Sequence, residues 1–143
     1  MLVHNANKNG YGPTDEELKN KSGEVKFKAP PNATEAQIQQ VKNYVQGCNE
    51  ALAAGKLSST GRVSTKGTLR LEATSAAKAE RLHANELGKP YKGHVGHVPD
   101  TTWTNSANPY KWEDYDPVVN TSLGGQSLRY PVGYKPTKFV FVE

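Results

Sequence analysis

Cysteine is almost absent from this sequence. Cys48 is its single thiol, so no internal disulfide can form and no cysteine-based zinc cluster can be built. The fold therefore needs no oxidising compartment, and a cytosol is an admissible place of action. Long hydrophobic runs are missing as well. No stretch approaches the roughly 20 apolar residues that cross a bilayer, and the first residues lack the basic-then-apolar pattern of a signal peptide. Export is expected to depend on sequence outside this stretch, and no membrane partner is expected. The sequence also lacks internal repeats, low-complexity tracts and a Walker phosphate loop. Acidic charge is in modest deficit: 18 Lys and Arg face 14 Asp and Glu, a net +4 and a pI near 9.1. Such a balance permits a polyanionic partner without requiring one.

At 143 residues the chain suits one domain, able to bury roughly two thirds of the surface it exposes when unfolded. A mean hydropathy of −0.74 is polar, yet seven Tyr, three Phe and two Trp supply large apolar faces for a core. Residues 1–28 are rich in Asn, Gly and Lys. They are read as an extended arm or linker that gives little core, with one short strand at Val25–Phe27. The single domain is then 29–143. After Pro30 and Pro31, Thr34 with Gln37 matches a capping box, and Ile38, Val41, Val45, Cys48 and Leu52 keep helical spacing up to Gly55. Cys48 on that face is read as a small buried hydrophobe. Leu69, Ala73, Ala76, Ala77 and Leu82 predict a second helix ending near Gly88 and Pro90, its Ala-rich face suited to close packing.

From Tyr91 onward no long helical period survives. Turn signals recur at Asn108-Pro109, Asp116-Pro117, Gly124-Gly125 and Lys135-Pro136. Strands are predicted over 93–98, 126–132 and 138–142. The expected fold class is α+β, with two N-terminal helices packed on an antiparallel sheet of about four strands.

Leu2-Val3-His4-Asn5-Ala6 resembles the last strand of an intein-like Hint processing domain, in which a terminal Val-His-Asn precedes the cleavage point. A compact domain after such a remnant looks like the tip of an Rhs/YD-repeat polymorphic toxin. The segments 61–65, 96–103, 120–126 and 129–136 look like toxin tips at the ends of such proteins. The resemblance implies an RNase-toxin-like version of that fold and a tip secreted as part of a larger effector, acting in the cytoplasm of a competing bacterial cell. It also implies a cognate immunity protein in the producing cell, and the basic surface favours an acidic one. His4 falls in the Hint-like remnant and is expected to be dispensable. The free domain is expected to be monomeric. The reaction is left to the residues themselves.

The densest chemistry lies in Lys92 to Trp103, which holds His94, His97 and Asp100 among glycines. A histidine titrates near neutrality and moves protons in both directions. Two histidines and a cation, here Lys92 or Arg129, suffice for metal-independent RNA cleavage: one deprotonates the ribose 2′-hydroxyl, the other protonates the leaving oxygen, and the cation stabilises the phosphorane. That is the leading reading, with His97 first among the catalytic candidates and His94, Asp100 and Arg129 beside it, and with no cofactor. On a regular strand, however, residues three apart face opposite sides, so both histidines share one site only if Gly96 bulges. His83 is read as a surface residue.

A second reading makes His97 the activator of water in a metal-dependent DNase, with Asn120 and Asp100 holding a divalent ion. Nucleases of the HNH kind place a helix after that Asn, whereas Gly124, Gly125, Pro131 and Pro136 argue for loop and strand. Asp100 is equally a turn or cap residue. A third reading, ADP-ribosyl transfer, would use Arg129 and Tyr130 in a nicotinamide-nucleotide pocket with Glu72 or Glu113 as the carboxylate. Its Arg, Ser-Thr-Ser and Glu-x-Glu pattern is not found. For substrate binding, Arg62, Lys66 and Arg70 lie in an acid-free stretch before the second helix, where a phosphate can sit at the helix N-terminus. Lys92, Trp103 and Tyr130 complete the binding candidates. Tyr110, Trp112 and Tyr115 are read as pinning an irregular loop to the sheet.

Overall fold

The structure, a computed structural model, describes residues 11–143. The Hint-like segment Leu2–Ala6, including His4, lies outside the described residues. The class is α+β. In chain order the elements are α1 (Asp15–Asn20), β1 (Ser22–Lys28), α2 (Glu35–Ala53), α3 (Thr68–Glu86), β2 (His94–Val98), α4 (Thr101–Thr104), β3 (Lys111–Tyr115), α5 (Pro117–Ser127) and β4 (Lys135–Val142).

Helix α2 starts where its capping box predicts. The Thr34 hydroxyl accepts from Gln37 N at 3.1 Å, and the Gln37 side chain accepts from Thr34 N at 2.9 Å. Val41, Tyr44, Val45, Cys48 and Ala51 form its buried face, each large side chain there stabilising the fold by about 1.5–3 kcal/mol. Cys48 is buried and free, as its place on that face requires. Helix α3 also falls where expected, but Ala84 is its only buried residue. Its Ala-rich face is not packed into the core.

The expected antiparallel sheet of about four strands is replaced by two small sheets. In the described residues β1 pairs in parallel with β4, Val25 opposite Phe139, and β2 pairs antiparallel with β3, His97 opposite Trp112. Side chains close the outer edges of the first sheet where further strands would pair. Asn49 clasps Phe139, donating to its carbonyl and accepting from its N–H at 2.8 Å each. Gln126 does the same for Lys28, at 2.9 and 2.8 Å, while Tyr130 accepts from Lys26 N and Tyr134 donates to Glu24 O. A two-stranded sheet with its edge groups satisfied in this way has no need of more strands.

The segment predicted as a strand over 126–132 is what supplies those side chains. It runs as the end of α5 and consecutive turns, with Arg129 N bonded to Gln126 O and Tyr130 N to Ser127 O. The turn signal at Asp116-Pro117 is instead a helix start: the Asp116 carboxylate caps Val118 N at 2.8 Å, and Pro117 occupies the first helical position, where its missing N–H costs nothing. Burial of Val119 and Leu123 outweighs the roughly 1 kcal/mol that each of Gly124 and Gly125 costs in a helix.

The core is aromatic. Phe27 meets Tyr44 edge-on at 5.2 Å, and Trp103 meets Tyr130 at 5.9 Å and Phe139 at 5.8 Å. Val25 and Phe27 are fully buried, so β1 supplies core where an arm was expected. The irregular aromatic segment is partly regular: Trp112 and Tyr115 belong to β3, and Trp103 to the single-turn α4.

Candidate functional site

Beside this core, α3, the end of β2, α4 and α5 enclose an open cleft of about 510 Å³. His97, Asp100, Asn120 and Arg70 all line it, with Thr65, Thr74, Thr101 and Thr102. Strand β2 brings His97 to the rim, and the cis Val98-Pro99 peptide follows before Asp100. Asn120 arrives from the first half of α5, and Arg70 from the first turn of α3.

His97 is half-buried between Trp112, whose ring lies 4.5 Å away, and the Ala107 carbonyl, 2.9 Å from Nε2. A carbonyl can only accept, so Nε2 carries the hydrogen and Nδ1 keeps the lone pair. Burial pushes the pKa of His97 below 6.5, against the opposing pull of the Ala107 carbonyl. The ring is thus a neutral base at neutral pH.

Asp100 is the first residue before α4, but its side chain makes no cap hydrogen bond, which removes the cap reading of this residue. Its backbone N–H donates to the Tyr44 hydroxyl at 3.1 Å. Burial raises the carboxyl pKa to about 7, opposed by the hydrogen bond from Tyr44. Among the described residues the carboxylate has no ion-pair partner. Next to it the Thr101 hydroxyl, on a residue 6% exposed, is buried without a hydrogen-bond partner. Such a group costs about 1–3 kcal/mol unless something satisfies it.

Asn120 directs its amide nitrogen to His94 Nδ1 at 3.2 Å, which leaves its oxygen unengaged. That oxygen lies against Gly96, where an added Cβ would come within 3.3 Å of it and within 2.4 Å of the Tyr115 ring. At the α3 end the N-cap is Gly67, at φ 83°, and no side chain caps the helix. Its first N–H groups are therefore available to an anion. Among the described residues no three His, Cys, Asp or Glu side chains stand together as a metal cluster. Beside the His97 Nδ1 lone pair, the donors at the cleft are oxygens: one carboxylate, one amide and hydroxyls. This set suits Mg²⁺, which takes one or two protein carboxylates and completes its shell with water and phosphate.

The other candidates are placed elsewhere. The β2–β3 register is regular with no bulge at Gly96, so His94 is exposed and lines an adjoining depression rather than the cleft. Arg129 is exposed and stacks 4.3 Å from the Tyr11 ring. Lys92 is exposed, its backbone N–H bonded to Asp114, and Lys66 is exposed outside the cleft lining. Arg62 is a strut, donating to Tyr130 O at 2.5 Å and to the Thr102 hydroxyl at 2.9 Å.

Trp103 and Tyr130 are corrected from substrate contacts to core residues, at 1% and 0% exposure. The Trp103 ring nitrogen donates to Ser127 at 2.9 Å, so neither ring can stack on a base. With Tyr130 buried and Arg129 held on Tyr11, the nucleotide pocket of the ADP-ribosyl reading is not formed by these residues. Thr65 and Thr101 lie within the phosphate-seating stretch and the His-Asp cluster read from the sequence; Thr74 was not legible as a cleft residue, the small-residue face of α3 being the available signal.

No protein-family model, no curated protein and no solved structure matches this chain.

Proposed function

We propose that this domain is a metal-assisted nuclease that hydrolyses phosphodiesters of DNA, and that it serves as the tip of a secreted polymorphic toxin of the Rhs/YD-repeat type. The observation that carries the nuclease reading is the meeting of His97, Asp100 and Asn120 in one cleft with Arg70 and the uncapped N-terminus of α3. Two further observations favour metal-assisted hydrolysis over the two-histidine ribonuclease. His94 and His97 line separate depressions, and Asn120 lies on a helix that continues beyond it.

In this reading Arg70, Thr74 and the first N–H groups of α3 seat the scissile phosphate. His97 Nδ1 takes a proton from water, whose oxygen attacks phosphorus. The bond from phosphorus to the leaving 3′ or 5′ oxygen breaks, and that oxygen is protonated from solvent. A divalent ion held by Asp100 and the Asn120 oxygen would neutralise the developing phosphorane charge and steady the leaving oxygen. The toxin setting rests on the Hint-like and tip-like segments. It carries with it an immunity protein that covers the cleft, an acidic one being favoured by the net charge of +4.

The test is incubation of the purified domain, and of His97→Ala, with plasmid DNA and with total RNA, each in Mg²⁺ or EDTA. Loss of DNA that requires Mg²⁺ and falls by about 10²–10⁴ in the variant is expected. RNA loss that persists in EDTA would replace this reading with the metal-independent ribonuclease. Intact nucleic acid throughout would end both.

A further inference from the structure

The cleft does not stop at Asn120. Asn120 and Ala77 form a shared wall with a second depression of about 360 Å³, lined also by Lys78, Arg81, His94 and Val95. Along α3, Arg70, Ala73, Ala77 and Arg81 recur at helical spacing and lie on one face. The small side chains in the middle keep the path low between the cationic ends. From Arg70 to Arg81 this face runs about 16 Å, the axial length of about five nucleotides of one stacked strand.

The cations at the far end are arranged for an anion. Arg81 is held in place, donating to Gly93 O at 2.9 Å and lying 6.0 Å from the Tyr91 ring. Lys78 is exposed. Because His94 Nδ1 accepts from Asn120, its Nε2 carries the hydrogen and is a donor. The acidic neighbours are engaged elsewhere: Glu80 accepts from the Tyr91 hydroxyl at 2.6 Å, and Asp114 accepts from Lys92 N and Gly93 N at 2.8 Å each. Neither lines the depression.

We propose that the depression of Lys78, Arg81 and His94 is a second phosphate subsite, which holds the substrate strand beside the cleaved position as it runs along α3. The proposal rests on the nuclease reading and assigns His94 a binding role in place of a catalytic one. A strand contacted at both ends of α3 presents a fixed phosphodiester to His97, so the subsite would favour polymers over small phosphate esters.

The test is the salt dependence of binding to a short DNA duplex in EDTA, where the strand stays intact, for the wild type, Lys78→Ala, Lys78→Arg, His94→Ala and Lys42→Ala. Lys78→Ala is expected to make the slope of log affinity against log salt shallower by about 0.9. Lys78→Arg should restore it, and His94→Ala, which removes the Nε2 donor, should weaken binding. Lys42, exposed near Phe141 on another face, should leave slope and affinity alone. An unchanged slope for Lys78→Ala, or an equal change for Lys42→Ala, overturns the subsite. Mg²⁺-dependent cleavage is read separately. A slope change without any cleavage keeps the subsite and removes the nuclease reading; cleavage without a slope change does the reverse.

Discussion

The aromatic core and the cleft beside it use the same kinds of polar group in opposite ways. Around the core, Asn49 and Gln126 close strand edges with paired hydrogen bonds, Arg62 braces Tyr130 and Thr102, and Trp103 donates to Ser127. At the cleft, the Asp100 carboxylate caps nothing, the Thr101 hydroxyl has no partner and the α3 N-terminus is uncapped. Buried polar groups are ordinarily satisfied. Among the described residues two buried hydroxyls have no partner, Thr101 at the cleft and Tyr115 in the core, and of the two only Thr101 lines a concavity beside free helix N–H groups, where a ligand can complete it.

The comparison breaks most forcefully at Trp103. Trp103→Ala removes a fully buried ring packed on Tyr130 and Phe139, and a loss of about 3–5 kcal/mol in urea unfolding is expected. Under conditions where the variant stays folded, cleavage should be retained to within about tenfold, because Trp103 does not line the cleft. A stable variant with abolished cleavage would put Trp103 at the site and dissolve the division.

Adjacent threonines give a sharper version. Thr102 donates to the Val63 carbonyl and accepts from Arg62, so Thr102→Val should cost about 1–3 kcal/mol by leaving those groups unpaired. Thr101→Val removes a buried hydroxyl that has no partner. It should leave thermal stability unchanged or slightly raised while weakening substrate turnover. If both substitutions destabilise alike, Thr101 has a partner within the fold and is not a ligand group.

The same division explains what could be read from the sequence. The α+β class, α2 with its Thr34 cap and Cys48, α3, and strands β2 and β4 follow from spacing and capping chemistry, which are local. Sheet topology was not legible, because what stops β1–β4 at two strands is Asn49 and Gln126, side chains distant in sequence from the edges they close. Asp116-Pro117 reads as a turn or as a cap, and only burial of Val119 and Leu123 decides between them. At the site, His97, Asp100, Asn120 and Arg70 were each legible as chemistry-bearing residues. Their grouping was not, since Asn120 depends on that misread helix. Trp103 and Tyr130 were misplaced because an aromatic side chain among Pro and Gly looks the same whether it meets a base or a core.

The smallest expected effect concerns the proton on His97. Desolvation lowers its pKa below 6.5, with Trp112 on one side and the Ala107 carbonyl on the other, and with Asp100 and Arg70 lining the same cleft. As a base it works only when neutral. Its ring should titrate with a midpoint below 6.5, later than a histidine in water, while activity already falls as pH drops through about 7, where Asp100, which must be ionised to hold a cation, takes up its proton. Trp112→Ala admits water to the ring and should move that midpoint upward toward 6.5, because it relieves the cause of the shift. NMR titrations of the His97 ring in the wild type and this variant check it. A wild-type midpoint at or above 6.5, or one that Trp112→Ala moves downward, would mean that a neighbouring charge rather than burial governs His97.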